Sequence, residues 1–300
     1  MLNAASGSGD KQESLARIES VLKAAGRPFR ILRATDPGQI VDLAREAVKE
    51  AKAHHGAVVA AGGDGTINAV VTEVLPTGLP MGLIPQGTFN YTGRTHSIPL
   101  NTANATRALL SARVQPIQVG MVNGRVFLVN ASLGLYPELL EQRETFKQRF
   151  GRKRIVAFIG GLFTLLRYRG QLQLEIVHDG QRELVRTPTL FIGNNRLQLE
   201  QVGLPETEDV ERRRLAALVV RPVEGLRMLG LALSGAAGRL HEAKNIRDFP
   251  FSSMIVKNAG RIQRQLKIAT DGEVCWMRPP LLFHVATQKL MLMAPAESHP

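Results

Sequence analysis

Two rhythms of apolar positions alternate through the first third of the chain. Lys11 to Ala25 places Leu15, Ile18 and Leu22 on one helical face, and Gly26 follows where a C-terminal cap belongs. Phe29-Arg30-Ile31-Leu32 then reads as a strand. Asp36-Pro37 has the form of an N-cap followed by proline at the first helical position, and Ile40, Leu43, Ala44, Ala47 and Ala51 make the buried stripe of the next helix. Ala57-Val58-Val59-Ala60-Ala61 is a short continuous apolar run, the signature of a central parallel strand. A helix through Ile67 to Leu75, a strand at Met81 to Ile84 and a helix at Thr102 to Leu110 continue the alternation. Such a rhythm predicts an open α/β sheet with helices on both faces.

After about residue 114 the texture changes to strand pairs punctuated by turn dipeptides: Asn123-Gly124, Asp179-Gly180, Asn258 to Gly260, and Asp271-Gly272. A second, mostly antiparallel domain is expected there. We divide the chain into residues 1–113 and 114–287, with residues 288–300 returning to the first domain. One apolar stretch, Ile155 to Leu166, lies between Arg152-Lys153-Arg154 and Arg167-Tyr168-Arg169. It reads either as an interfacial helix, apolar side to acyl chains and arginines to headgroups, or as a helix covering the second domain's sheet.

Composition supports two globular domains, since 300 residues with 44% hydrophobic content suffice for a sizeable core in each. The single cysteine, Cys275, excludes an internal disulfide framework and fits a reducing compartment. Met1 to Gly7 has neither the basic start nor the apolar run of a secretory signal, and Ile155 to Leu166 is shorter than the ~18 residues that span a bilayer. A cytoplasmic chain, peripheral at the membrane, is the expectation. The net charge of +12 implies a polyanionic partner: nucleic acid, nucleotide phosphate or an anionic membrane surface. Aromatic residues, at 5%, are too sparse for a base-stacking platform, so no specific nucleic-acid partner is expected. The sequence leaves a homodimer open.

The strongest chemical signal is Gly62-Gly63-Asp64-Gly65-Thr66, directly after the apolar strand and directly before a helix. Glycines let backbone N–H groups approach phosphate oxygens, and the helix N-terminus adds the favourable end of its dipole. A carboxylate in that position is repelled by phosphate unless a divalent cation lies between them, which makes Asp64 a candidate to help hold nucleotide-bound Mg²⁺. A second loop of similar design follows at Pro85-Gln86-Gly87-Thr88-Phe89-Asn90, and a third small-residue loop, Asn3 to Gly9, lacks the Gly-Lys-Ser/Thr ending of a P-loop. Asp271-Gly272 between Leu266-Lys267-Ile268 and Val274-Cys275-Trp276 reads on its own as a hairpin turn. The lone histidines His54, His96 and His241 have no catalytic partner spacing and read as structural.

Together these strings resemble the diacylglycerol kinase catalytic-domain family, in particular its soluble bacterial lipid kinases, with sphingosine kinases and NAD kinases as more distant relatives. Asn3 to Gly9 is similar to the family's opening Asn-Pro-x-Ser-Gly loop, Gly62 to Asn68 to its Gly-Gly-Asp-Gly-Thr-x-Asn string, and Pro85 to Arg94 to its Pro-x-Gly-Thr-x-Asn loop. Asp271-Gly272-Glu273 resembles the late Asp-Gly-Glu that carries the catalytic carboxylate. Ala4, Ala69 and Tyr91 stand where the family has proline, often glutamate, and usually aspartate, and residues 196–250 match poorly. Glu211-Arg212-Arg213-Arg214 stands where the family has the Asp-Gly of a second Mg²⁺ site, so that site is not carried over.

The resemblance implies an NAD-kinase-like open α/β domain followed by an antiparallel β-sandwich, with the active site in the cleft between them. It implies an ATP-dependent, Mg²⁺-requiring lipid kinase that phosphorylates a hydroxyl of diacylglycerol or a similar lipid at an anionic membrane surface. Nucleotide contacts are implied for Asn3, Ser6, Gly7, Thr35, Gly62, Gly63, Asp64, Gly65, Thr66, Asn68, Gly87, Thr88 and Asn90. Glu273 is implied as general base and Asp271 as its orienting or metal-side neighbour, the two pointing the same way as alternate strand residues. Two other readings stay open: an NAD-kinase-like enzyme with a soluble acceptor, and a catalytically silent protein that binds membranes or polyanions.

Overall fold

The computed structural model describes residues 2–3, 11–88, 90–141, 170–194, 214–222, 245–260 and 264–295. Two compact units share the chain, Met1–Val119 with Ala286–Pro300 and Gly120–Val285.

In the first unit, β1 (Leu2–Asn3), α1 (Lys11–Ala24), β2 (Arg33–Ala34), α2 (Ile40–Ala53), β3 (Val58–Gly62), α3 (Asp64–Val74), β4 (Met81–Pro85), α4 (Tyr91–Thr95), α5 (Thr102–Leu110) and β5 (Arg113–Ile117) follow one another. One later strand, β18 (Leu290–Ala294), joins them in a six-stranded sheet of order β2-β1-β3-β4-β18-β5. Strands β2, β1, β3 and β4 are mutually parallel, β18 is parallel to β4, and β5 runs antiparallel to β18. Helices α2 and α3 pack on each other, as do α1 and α5. Because Val58, Ala60 and Ala61 on β3 and Met81, Leu83 and Ile84 on β4 are all buried, these strands are apolar without alternation, as a sheet covered on both faces requires.

Local signals explain most of these boundaries. Asp36 caps a short 3-10 turn, Pro37–Gln39, its Oδ1 accepting from Gly38 N at 2.6 Å, and α2 follows directly. The Asn101 side chain caps α5 by accepting from Asn104 N. The expected strand at Phe29 to Leu32 is not one. Among the described residues β2 is Arg33–Ala34, paired with Leu2 and Asn3 of β1, and Phe29 is left 37% exposed.

The second unit contains β6 (Gly120–Val122), β7 (Arg125–Phe127), β8 (Asn130–Gly134), β9 (Leu172–His178), β10 (Gln181–Thr187) and β11 (Thr189–Gly193). It continues through β12 (Leu215–Val220), β13 (Ile246–Phe251), β14 (Ser253–Asn258), β15 (Leu266–Thr270), β16 (Glu273–Met277) and β17 (Leu281–Val285). Residues 135–141 are helical. Its strands form two sheets, β10-β9-β14-β17-β6-β7 and β13-β12-β11-β8-β15-β16, paired antiparallel throughout. Leu174, Ile176, Met254, Val256, Leu281 and Phe283 from the first sheet share one apolar core with Leu133, Leu190, Ile192, Ala217, Phe251 and Ile268 from the second. The unit is therefore a β-sandwich.

Three of the four turn dipeptides close two-residue hairpins with both residues at positive φ: Asn123 and Gly124, Asp179 and Gly180, Asp271 and Gly272. This left-handed pair matches the twist of the flanking strands. The fourth does not close a hairpin. Asn258 to Gly260 follows β14, which pairs with β9 and β17, while β15 pairs with β8 and β16, so this segment leaves one sheet for the other. The stretch Ile155 to Leu166 with its basic flanks lies outside the described residues, as do His241 and Glu211 to Arg213.

Candidate active site

In the first unit, parallel β1, β2, β3 and β4 all end at the same edge of the sheet, so Asn3, Thr35, Gly63 and Gln86 sit at neighbouring carboxyl ends. This is where open α/β sheets bind ligands. Ser6 and Gly7, and the rest of the opening loop beyond Asn3, lie outside the described residues.

The two glycine loops touch. Gly63 is the extended N-cap residue of α3, and a Cβ on it would stand 3.3 Å from the Cα of Gly87. A Cβ on Gly87 would stand 2.8 Å from the Cα of Gly63 and 2.9 Å from Asn90 Oδ1, closer than real side chains come. Position 87 must therefore be glycine for the loops to meet, and a Cβ at position 63 fits only if Gly87 gives by a few tenths of an ångström. Gln86 N donates to Gly62 O at 2.8 Å, continuing the β3–β4 ladder into the junction.

Asn90 closes the second loop on itself. Its Oδ1 accepts from Gly87 N at 2.8 Å and its Nδ2 donates to Gly87 O at 2.9 Å, a pairing that holds Asn90 at φ 51°. The backbone N of Asn90 donates to Asp64 Oδ2 at 3.1 Å, which ties the second loop to the first residue of α3. Thr88 between them is exposed, whereas Thr66 and Asn68 are buried along α3. Thr35 is exposed; its N and Oγ1 both donate to Gln39 Oε1, at 3.0 and 3.2 Å.

The other Asp64 oxygen, Oδ1, is buried without a hydrogen-bond partner. Burial raises the acid's pKa, partly offset by backbone hydrogen bonds from Asn90, Asp64 itself and Tyr91. A buried carboxylate oxygen with nothing to accept from is satisfied by a proton or by a cation. The residues here thus fit a divalent ion carried in on phosphate. Among the described residues no three His, Cys, Asp or Glu side chains group around a metal. Gln86 also leaves both amide atoms, Nε2 and Oε1, buried without partners beside this junction. Nothing in its sequence context marked it, since it occupies the variable place of its motif.

The acidic hairpin of the second unit differs from its expected geometry. Asp271 is the first turn residue, at φ 48°, and β16 begins only at Glu273, so the strand alternation that was to aim both carboxylates the same way does not run through this pair. The Asp271 carboxylate instead accepts three backbone amides: Leu128 N at 2.7 Å on Oδ2, and Val129 N at 2.9 Å and Asn130 N at 3.0 Å on Oδ1. It holds the segment between β7 and β8. Glu273 is half-exposed and receives Arg125 Nη2 at 2.8 Å, while Arg125 Nε donates to Thr270 Oγ1 at 2.8 Å. Arg125 thereby fixes the carboxylate across the hairpin. It was not singled out in the sequence, where it is merely the residue after Asn123-Gly124.

Cys275, on the same strand as Glu273, is half-buried; burial raises its thiol pKa, with Arg125 opposing and Glu273 adding to the shift. His96 is pulled down to about 4 by burial, and His54 sits at the end of α2 with Nδ1 3.0 Å from Glu50 O.

The diacylglycerol kinase catalytic domain family matches residues 1–122, a span that contains both glycine loops. A diacylglycerol kinase of Bacillus subtilis (strain 168) is 30% identical over 183 residues, 60% of this chain and 58% of that protein. A diacylglycerol kinase of Staphylococcus saprophyticus is 30% identical over 98 residues, 32% of each. The chain spans about half the length, or less, of the relatives it matches. A crystal structure of a diacylglycerol kinase from Bacillus anthracis str. Sterne has a TM-score of 0.69 at 19% identity, covering 98% of this chain and 94% of that one. A second crystal structure from that organism reaches a TM-score of 0.74 at 20% identity, covering 98% and 95%. At such identities the two structures bear on the fold, an α/β unit and an antiparallel β unit. Over residues 1–122 this chain is similar to the diacylglycerol kinase catalytic domain, and over 98% of its length its fold is that of the two crystal structures.

Proposed function

We propose that the protein is an ATP-dependent lipid kinase that transfers the γ-phosphoryl group to a hydroxyl of diacylglycerol or a similar lipid. The observation that carries this reading is the junction of Gly63 and Gly87, locked by Asn90 onto Asp64, at the carboxyl edge of a parallel sheet. Phosphoryl transfer asks little covalent chemistry of a protein: the triphosphate must be held, its charge offset, and the acceptor's proton removed.

The N-terminus of α3 binds the phosphates, at a mouth shaped by the two glycine loops where they meet at Gly63 and Gly87. Asp64 would help hold the nucleotide's Mg²⁺, which would offset phosphate charge. Thr35, Thr88, Thr66 and Asn68 orient the nucleotide, with Asn3 on the adjacent strand end. Glu273, held by Arg125, takes the proton of the lipid hydroxyl. The role of Asp271 is to shape the segment from Leu128 to Asn130 through its three amide bonds. Among the described residues no helix is long and apolar enough to cross a membrane.

Radiolabelled ATP offered with mixed lipid micelles, with NAD, and with no acceptor tests the reading in one assay. Label in an organic-extractable product supports it. Label in a soluble product points to an NAD-kinase-like enzyme, and no transfer with retained vesicle binding points to a silent membrane-binding protein.

A further inference from the structure

The sheet β10-β9-β14-β17 of the second unit turns one face to the shared core, through Leu174, Ile176, Met254, Val256, Leu281 and Phe283. The opposite face of an antiparallel sheet is ordinarily polar. Here it is not. The pairing register sets Val177 on β9 beside Ile255 on β14, and Ile255 beside Leu282 on β17, so the three make an apolar row across three strands. Leu184 on β10 projects from the same face two residues beyond Arg182, the residue paired with Val177. Leu184 is 75% exposed, Leu282 40% and Ile255 37%.

Cations surround this row. Arg182 and Arg186 flank Leu184 on β10, and Lys257 lies two residues beyond Ile255 on β14. The one carboxylate on this face of the four strands, Glu175, is enclosed by two of them, with Arg182 Nη2 at 2.5 Å and Lys257 Nζ at 3.1 Å. Arg186 is exposed.

We propose that this face docks onto an anionic lipid bilayer, its aliphatic row entering the acyl boundary while Arg182, Arg186 and Lys257 meet headgroup phosphates. Charge complementarity selects the occupant. A second copy related by two-fold symmetry would bring the same arginines against each other, whereas a bilayer with negative headgroups satisfies them. The long stems of arginine and lysine lie along apolar surface and carry their charge outward to the headgroup level. The biological meaning of the contact rests on the lipid-kinase reading, for which it would bring the enzyme to its acceptor; the physical contact does not.

Full-length protein is tested by flotation with vesicles of phosphatidylcholine alone and with phosphatidylglycerol added. The wild type should float with the mixed vesicles, less so as salt rises, and remain behind with phosphatidylcholine alone. Leu184→Ser/Ile255→Thr and, separately, Arg186→Glu should each weaken binding to mixed vesicles about tenfold. Both leave the core untouched, and unchanged thermal midpoints confirm folding. Phosphorylation of a short-chain, monomeric diacylglycerol should be equal in wild type and variants, while phosphorylation of vesicle-embedded diacylglycerol falls in the variants. Equal flotation of wild type and both variants overturns the docking face, and so does a dimer in solution that the variants dissociate. Variant-sensitive flotation without label in any lipid keeps the docking face and removes the kinase reading.

Discussion

The backbone N–H of Asn90 donates to Asp64 Oδ2 at 3.1 Å, while the other oxygen of the same carboxylate is buried without a partner. One half of Asp64 thus builds the loop junction, and the other half is where the proposed function puts the nucleotide's cation. The group is costly to the unliganded protein, because burial disfavours its charge.

Asp64→Asn separates these halves. Asparagine retains an acceptor for Asn90 N and removes the buried charge, so the ligand-free variant should melt at the same or a higher temperature than wild type. Mg-ATP-dependent turnover should fall by at least ~100-fold. Undiminished turnover would remove Asp64 from the site. The same acid gives a pH signature: its folded pKa is raised, so the folded state binds a proton more readily than the unfolded chain, and this group's contribution to ligand-free stability declines as pH rises through the folded pKa.

Gly87→Ala places a methyl group 2.8 Å from the Cα of Gly63, a backbone neighbour that cannot rotate away. The loops must part, at a cost of about 1–3 kcal/mol. Denaturant midpoints should report that loss and nucleotide titration a weaker affinity. An unchanged affinity would mean that the junction does not shape the phosphate site.

Glu273→Gln should lower kcat by ~100-fold or more through loss of the proton acceptor, with stability altered by less than ~1 kcal/mol because the Arg125 pair is half-exposed. Near-normal turnover would end the assignment of Glu273 as base.

Asp271→Ala should behave in the opposite way. Three amides at Leu128, Val129 and Asn130 lose their acceptor, and alanine tolerates the left-handed turn poorly, so a loss of about 2–4 kcal/mol is expected. Asp271→Asn, which tolerates positive φ and keeps one acceptor oxygen, should lose less than the alanine variant. Equal urea midpoints for wild type and both variants would contradict the bracing role.

His96 supplies a second pH window. Its folded pKa of about 4 lies below the 6.5 of a free imidazole, so between those values the unfolded chain binds the proton that the folded one excludes. Stability should fall as pH drops from 6.5 toward 4 and receive no further contribution from this group below. The contribution at neutral pH is on the order of 2–3 kcal/mol. His96→Gln should flatten that part of a stability–pH curve measured by urea midpoints.

Local chemistry made much of the fold legible. Helix α5 occupies Thr102–Leu110 as the apolar spacing predicted, and β3 and β4 follow their continuous apolar runs. Asn123-Gly124 and Asp179-Gly180 close hairpins because positive φ at both positions is a property of the dipeptide itself. What escaped was decided by pairing partners. Phe29 to Leu32 has strand composition, yet the described pairing with β1 falls on Arg33 and Ala34. Asn258 to Gly260 has turn composition, yet β15 pairs with β8 rather than returning to β14. In the candidate site the glycine loops were visible as strings, whereas Arg125 was not, because its link to Glu273 spans residues that only the folded sheets bring together.

The place of β18 between β4 and β5 has a consequence for biosynthesis. A ribosome releases β4, with the second glycine loop attached, long before it releases the strand that covers that side of β4. The nascent α/β sheet must wait with an open hydrogen-bonding edge while the twelve described strands of the sandwich are translated. Completion of the α/β sheet is thereby deferred until the β-sandwich that interrupts it in the chain has emerged.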